Sequence, residues 1–279
     1  MKKVRKPLWV VILIIAILVL LAGFFFLIKN YLPGQETPLP GGMAPTSSAS
    51  SAETVDGTAA ATEPPTETPT INSFGYALEK YEDWMSLDFE ELLDINPDIC
   101  GWIYIPGTNI DYPVAQSLDG DDNFYLSHNI YKQYQFSGTI YSQSMNRRNF
   151  TDPVTVLYGH NMLNGSMFAT LHRFSDQDFF NKHTTCFVRT RDKLLTYLIY
   201  SAYVYDDRHI MNSFNFLDEE VLLDYFDSTL NPRTYSGIVR EGVTLTSDSR
   251  VLTLSTCTNG GSNTRFLVQG VLVDEQLRE

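Results

Sequence analysis

VLTLSTCTNGGSNTRFLVQGVLV, residues Val251–Val273, is a pair of apolar runs of strand character separated by a polar loop carrying two glycines. Successive side chains of a strand point to opposite faces, so Leu252 and Leu254 share one face while Thr253, Ser255 and Cys257 share the other. The first run thus ends on a thiol. The second opens at Arg265, with Leu267 and Val271 on the same face. Closing the loop brings the two strand ends together and puts a guanidinium within reach of the sulfur. There it can stabilise a thiolate, or the oxyanion formed when a thiol attacks an acyl carbon.

A thiol nucleophile also needs a partner that exchanges a proton with the leaving and entering groups, and imidazole is the usual one. Of the five histidines, only His160 directly follows a clear β run (PVTVLYG) and precedes a polar turn (NMLNG). Catalytic groups on a rigid scaffold commonly sit at such strand ends. His128, His172, His183 and His209 lie in polar or amphipathic settings and read as surface or hydrogen-bonding histidines. Taken singly, Cys257 would read as a buried thiol, His160 as a turn residue and Arg265 as a surface ion-pairing group. Their common placement at strand ends is what argues for chemistry. Cys100 and Cys186 sit among apolar neighbours and read as buried structural thiols, with no spacing that supports a disulfide between them.

Working outward, GWIYIPGTNIDYPVAQ joins short β-type runs through a turn at Pro106 and Gly107, and β-type segments recur at 138–142, 154–158, 184–190, 194–205, 251–256 and 265–273. Eight or so short strands predict a mainly β fold closed, or nearly closed, into a barrel. Helices are predicted at the start of the domain, where Phe74, Ala77, Leu78, Tyr81, Met85 and Leu92 recur at helical spacing behind Ser73 as N-cap. Further helices are predicted over Met167–Lys182 and, behind an acidic first turn, over Asp218–Leu230.

The chain has 279 residues, 43% apolar and 19% charged, which is enough to bury a core and excludes wholesale disorder. Its formal charge of −13 argues against nucleic acid as a partner, since phosphate binding needs surplus Lys and Arg. Three scattered cysteines make neither a disulfide scaffold nor a zinc module. No phosphate loop, metal-ligand set or dinucleotide fingerprint is present, so no cofactor is expected; the acidic DGDDN at 119–123 reads as a solvated turn.

Residues 8–28, LWVVILIIAILVLLAGFFFLI, are free of charge and long enough to span a bilayer as a helix. Lys2, Lys3, Arg5 and Lys6 precede the run and only Lys29 closely follows it, so residues 1–7 are expected in the cytoplasm and the remainder outside. The run is too long for a signal-peptide core and ends on Phe24, Phe25 and Phe26 without a small-residue cleavage site, which favours an uncleaved signal-anchor. Residues 29–72, rich in Pro, Ser, Thr and Ala, read as a flexible stalk, and 73–279 as one extracellular domain.

TLSTC at Thr253–Cys257, Arg265 eight positions on, and YGHNM at Tyr158–Met162 together resemble the sortases, cysteine transpeptidases of the Gram-positive surface. The opening helices, a helix inserted before the Cys257 strand, and the segments GWIYIPGTNIDYPV and NFYLSHN are similar to class B of that family. The resemblance implies an eight-stranded sortase barrel with His160, Cys257 and Arg265 as the catalytic triad; Ser255 and Thr256, just ahead of the thiol, read either as contacts to the bound peptide or as ordinary strand packing, and Asn161 as a further peptide contact. It implies partners of two kinds: surface proteins bearing an LPxTG- or NPxTN-like sorting motif, and an amine acceptor on peptidoglycan or a pilin. Two alternatives stand beside it. A papain-like hydrolase is disfavoured because His160 precedes Cys257. A membrane-tethered, non-enzymatic barrel with an inert thiol is the other.

Overall fold

The computed structural model describes residues 71–81, 86–234, 236–259 and 263–278. The expected cytoplasmic segment 1–7, membrane span 8–28 and most of the 29–72 stalk lie outside them. Among the described residues no helix is long and apolar enough to cross a membrane.

Among the described residues nine strands form one sheet. In chain order they are β1 (Ile99–Tyr104), β2 (Asp111–Ala115), β3 (Ile140–Tyr141), β4 (Val154–Tyr158), β5 (Thr185–Arg189), β6 (Lys193–Asp206), β7 (Ile238–Val239), β8 (Val251–Cys257) and β9 (Thr264–Leu277). The spatial order is β5-β1-β2-β3-β4-β8-β9-β6-β7, and β5 pairs with β6 as well, so eight strands close into a barrel with β7 added beside β6. Closure removes the unpaired edges that an open sheet would present. The β2–β3 and β4–β8 pairs are parallel. The β1–β2 hairpin turns through Ile105–Thr108, where the Thr108 amide donates to the Ile105 carbonyl at 3.3 Å. Pro106 supplies the fixed φ, and Gly107 the positive φ of +73°, that a type II turn requires.

Alternation sorts the side chains into two cores. Leu157, Leu195, Tyr197, Ile199, Leu252, Leu254, Phe266 and Val268 fill the barrel. Val154, Val156, Leu198, Tyr200, Val251, Leu267 and Val271 form the outer face. A register shift between Ile199 and Ser201 flips β6, so that Ala202 and Val204 then point inward and Tyr203 and Tyr205 outward. The outer face is covered by α4 (Glu219–Leu230), whose Asp218 cap accepts from the amides of Glu220 and Val221. Leu222, Tyr225 and Phe226 of α4 pack onto the sheet. The buried Gln269 side chain donates to the Tyr225 hydroxyl at 3.0 Å and to Thr253 Oγ1 at 3.1 Å, fixing the helix over β8 and β9.

The opening of the domain departs from the helical expectation. Residues 71–81 are not helical, and Ser73 caps nothing: Ile71 bridges to Ala77, and Asn72 Oδ1 accepts from the amides of Phe74 and Tyr76. Gly75, at φ +82°, completes the turn. An asparagine that captures nearby amides competes directly with helix formation. Phe74, Tyr76 and Leu78 then pack on the outer core with the period of a strand, not of a helix. The Glu79 amide donates to Thr185 Oγ1 and Thr184 Oγ1 to the Ala77 carbonyl, which lays this segment beside β5. The first helix among the described residues, α1 (Phe89–Ile95), begins behind Asp88, whose carboxylate accepts from two amides. The predicted helix over Met167–Lys182 is split into a 3-10 helix, Ala169–Ser175, and α2 (Gln177–Lys182), because Asp176 breaks the first and caps the second. Only 140–141 of the predicted 138–142 strand pair in the sheet, and β7 and the short α3 (Ile210–Ser213) were not expected.

Candidate active site

The site sits where β4, β8 and β9 end. Tyr158 of β4 lies opposite Ser255 of β8 in the parallel pair, and Cys257 lies opposite Arg265 of β9 in the antiparallel pair. Gly159 extends the first pairing, its amide donating to the Ser255 carbonyl at 3.2 Å. Two residues past Tyr158 stands His160, beyond the last register pair, and two past Ser255 stands Cys257, the last residue of β8. Val154, Val156 and Tyr158 face outward on β4, as Thr253, Ser255 and Cys257 do on β8. Arg265 is therefore the direct neighbour of Cys257 across β8 and β9, and His160 follows the end of β4, the strand that pairs with β8 on its other side.

Close packing holds this junction. A Cβ on Gly159 would lie 2.5 Å from Ile140 Cδ1 and 2.7 Å from the Phe168 ring, so only glycine lets the end of β4 pass beneath them. Thr256, whose side chain has the inward parity, donates its hydroxyl to the Gly159 carbonyl at 2.8 Å and ties the two strand ends together. Ser255 is buried on the outer face between Tyr158 and Leu267.

The three thiols divide by environment. Cys100 and Cys186 are buried and unpaired in the barrel core. Burial pushes the Cys100 thiol up to about 12 and raises that of Cys186 as well, which leaves both inert. Cys257 is exposed.

His160 Nε2 lies 2.8 Å from the Leu126 carbonyl. A carbonyl only accepts, so Nε2 carries the hydrogen of this contact. The ring stacks on Phe136, 66% exposed, at 5.5 Å. Leu126 is held in turn by its neighbour: the Tyr125 hydroxyl donates to Asp98 Oδ2 at 2.7 Å and accepts from Asn96 Nδ2 at 2.7 Å, a buried network completed by Lys132 at 3.0 Å from Asp98. Tyr141, paired with Tyr158 across β3 and β4, lines the same region. Burial drives its hydroxyl up to about 12, against the opposing pull of the Arg265 cation.

The Cys257 carbonyl accepts two side-chain hydrogen bonds, from Asn161 Nδ2 at 3.0 Å and from His172 Nε2 at 3.0 Å. Asn161 also donates to Asn259 Oδ1 at 2.7 Å. The Leu126 carbonyl, Phe136 and His172 escaped the sequence reading. The first is a backbone group with no sequence signal, and the other two lie in stretches whose periodicity reveals nothing about the neighbouring strand ends.

The sortase domain family model matches residues 103–273. The chain belongs to the sortase family, in its class B. Sortase B of Listeria monocytogenes is 32% identical over 67% of this chain and 74% of that protein. The solved sortase B of Clostridium perfringens is 35% identical, with a TM-score of 0.59, covering 67% of this chain and all of that one. Sortase B of Staphylococcus aureus, solved as a substrate complex, is 26% identical with a TM-score of 0.57 over 67% of this chain and 84% of that one. As a sortase, the chain is a cysteine transpeptidase of the Gram-positive cell surface, acting on proteins that carry a sorting motif. Its closed eight-stranded barrel is the sortase fold.

Proposed function

We propose that Cys257, His160 and Arg265 carry out the transpeptidation. The Cys257 thiolate attacks the carbonyl carbon of the sorting-motif threonine, forming the C–S bond, and the peptide C–N bond then breaks. His160, with Nε2–H donating to the Leu126 carbonyl, gives a proton to the departing amine. The fork of Arg265 steadies the oxyanion and orients the peptide. An incoming amine then attacks the thioester, His160 takes its proton, and an amide replaces the C–S bond. Asn161 lines the approach to Cys257, while Ser255 and Thr256, both buried, shape the strand end that presents the thiol. The observation that supports this reading is the register that sets Cys257 opposite Arg265, with His160 following the end of β4 that pairs beside Ser255.

The substrate is a surface protein with an LPxTG- or NPxTN-like motif, and the acceptor an amine of peptidoglycan or a pilin. Residues 8–28 anchor the enzyme by a single span, and 29–72 let the domain work away from the bilayer outside the cell.

The test incubates the full chain with LPxTG- and NPxTN-like peptides, with and without an amine acceptor, followed by mass spectrometry. A thioacyl adduct on Cys257, an amide product with acceptor present, and loss of both in Cys257→Ala are the expected results. Hydrolysis indifferent to amine would overturn transpeptidation in favour of a protease. Absence of any adduct across a broad motif library would overturn the catalytic assignment. Carbonate extraction of membranes tests the anchor: release of the chain would exclude a spanning helix.

A further inference from the structure

The carbonyl of the nucleophile's own residue is held from both ends of one segment. Asn161 follows His160 immediately, and His172 lies in the 3-10 helix Ala169–Ser175 that closes the same excursion. A carbonyl oxygen has two lone pairs, and these two donors supply a partner for each. The His172 ring also packs on Phe266 at 4.8 Å, the β9 residue next to Arg265. His172 thus touches β8 at the nucleophile and β9 beside the guanidinium, while its own segment begins at His160.

We propose that His172 is a positioning residue of the transpeptidase reaction, its Nε2–H fixing the Cys257 peptide and so the place from which the sulfur attacks. This rests on the role proposed above for Cys257. The hydrogen bond works in two ways. It stops the end of β8 from twisting when an extended peptide is pressed against it, and it keeps the Cys257 side chain aimed from one place toward an incoming electrophile. Both effects act on the chemical step and not on the affinity for peptide.

Three forms of the full chain in detergent separate donor from ring. His172→Phe keeps an aromatic ring against Phe266 and removes the N–H; His172→Gln keeps an N–H donor and removes the ring. Positioning predicts that His172→Phe lowers kcat for thioacyl formation about five- to tenfold with KM changed less than twofold, and slows alkylation of Cys257 by iodoacetamide at least threefold. His172→Gln should stay within twofold of the parent in both measurements. Each variant is melted in parallel; if His172→Phe unfolds early, His172→Ala is measured in its place with the same expectations. Parent-like acylation and alkylation in the donor-free variant, or equal losses in both variants, would overturn the proposal. If the parent itself forms no thioacyl adduct, the transpeptidase reading fails separately, and the alkylation rates still decide whether His172 sets the reactivity of Cys257.

Discussion

Cys257 and Arg265 are register partners across β8 and β9, so the guanidinium and the thiol occupy adjacent positions on one sheet face. Six pairs lead up to them, from Val251 opposite Val271 to Thr256 opposite Phe266, all with one uninterrupted register. A one-residue slip would send either side chain into the barrel, where Leu254 and Phe266 already fill the space. Core packing therefore enforces the pairing at the site.

Arg265→Lys should lose about a hundredfold in thioacyl formation, measured as the burst of adduct in single turnover, because an ammonium keeps the charge and forfeits the planar fork. Activity within threefold of the parent would show that charge alone suffices there.

Gly159→Ala places a methyl group against Ile140 and the Phe168 ring at distances no carbon tolerates. Relief comes from moving the Ile140 side chain, the Phe168 ring or the end of β4, next to His160. The expected cost is about 1–3 kcal/mol of stability by urea unfolding, with turnover reduced more than peptide binding. An unchanged midpoint and rate would mean that the junction yields freely.

Asp98 gives stability a dependence on acid. Burial alone would raise its carboxyl, but hydrogen bonds from Tyr125 and Lys132 outweigh this and hold it below the ordinary aspartate value. A carboxylate depressed in the folded state stabilises at pH values above its unfolded pKa, and that contribution fades as pH falls through the folded one. The melting temperature should accordingly decline below about pH 4, and Asp98→Asn should melt lower at neutral pH with a shallower decline in acid. Identical slopes for parent and variant below that pH would remove Asp98 as a source.

Arg189 is wholly buried beside Phe89, and among the described residues none of its guanidinium nitrogens has a hydrogen-bond partner. Burial, with the nearby Arg278 cation adding to it, lowers its pKa. Removing an unpaired buried charge in favour of an apolar side chain of similar length is favourable, so Arg189→Met should gain about 1–4 kcal/mol in denaturant unfolding. A loss of stability would mean that the guanidinium is satisfied by solvent or an anion within the fold.

The strands were legible because alternation and apolar runs are local properties. The runs at 154–158, 184–190, 194–205, 251–256 and 265–273 all recur as strands with shifts of a few residues at most. The Pro106–Gly107 turn and the Asp218-capped helix were legible for the same reason, since a fixed φ and a carboxylate cap act over three or four residues. Residues 71–81 were misread because a stretch with Phe74, Ala77, Leu78 and Tyr81 satisfies a helical template, while the Asx turn at Asn72 and the alternation of Phe74, Tyr76 and Leu78 win once β5 is beside them.

By itself, then, the order of residues determined which segments become strands, that a thiol, an imidazole and a guanidinium stand at their ends, and the family to which TLSTC and YGHNM point. Only the tertiary structure decided that β4 lies parallel to β8 with Tyr158 opposite Ser255, that Leu126 holds the His160 imidazole by its carbonyl, and that His172 reaches the Cys257 peptide. Strand identity follows from neighbours a few residues away. Strand order, and every contact between residues 34 to 96 positions apart, arises from burying the barrel's two faces together.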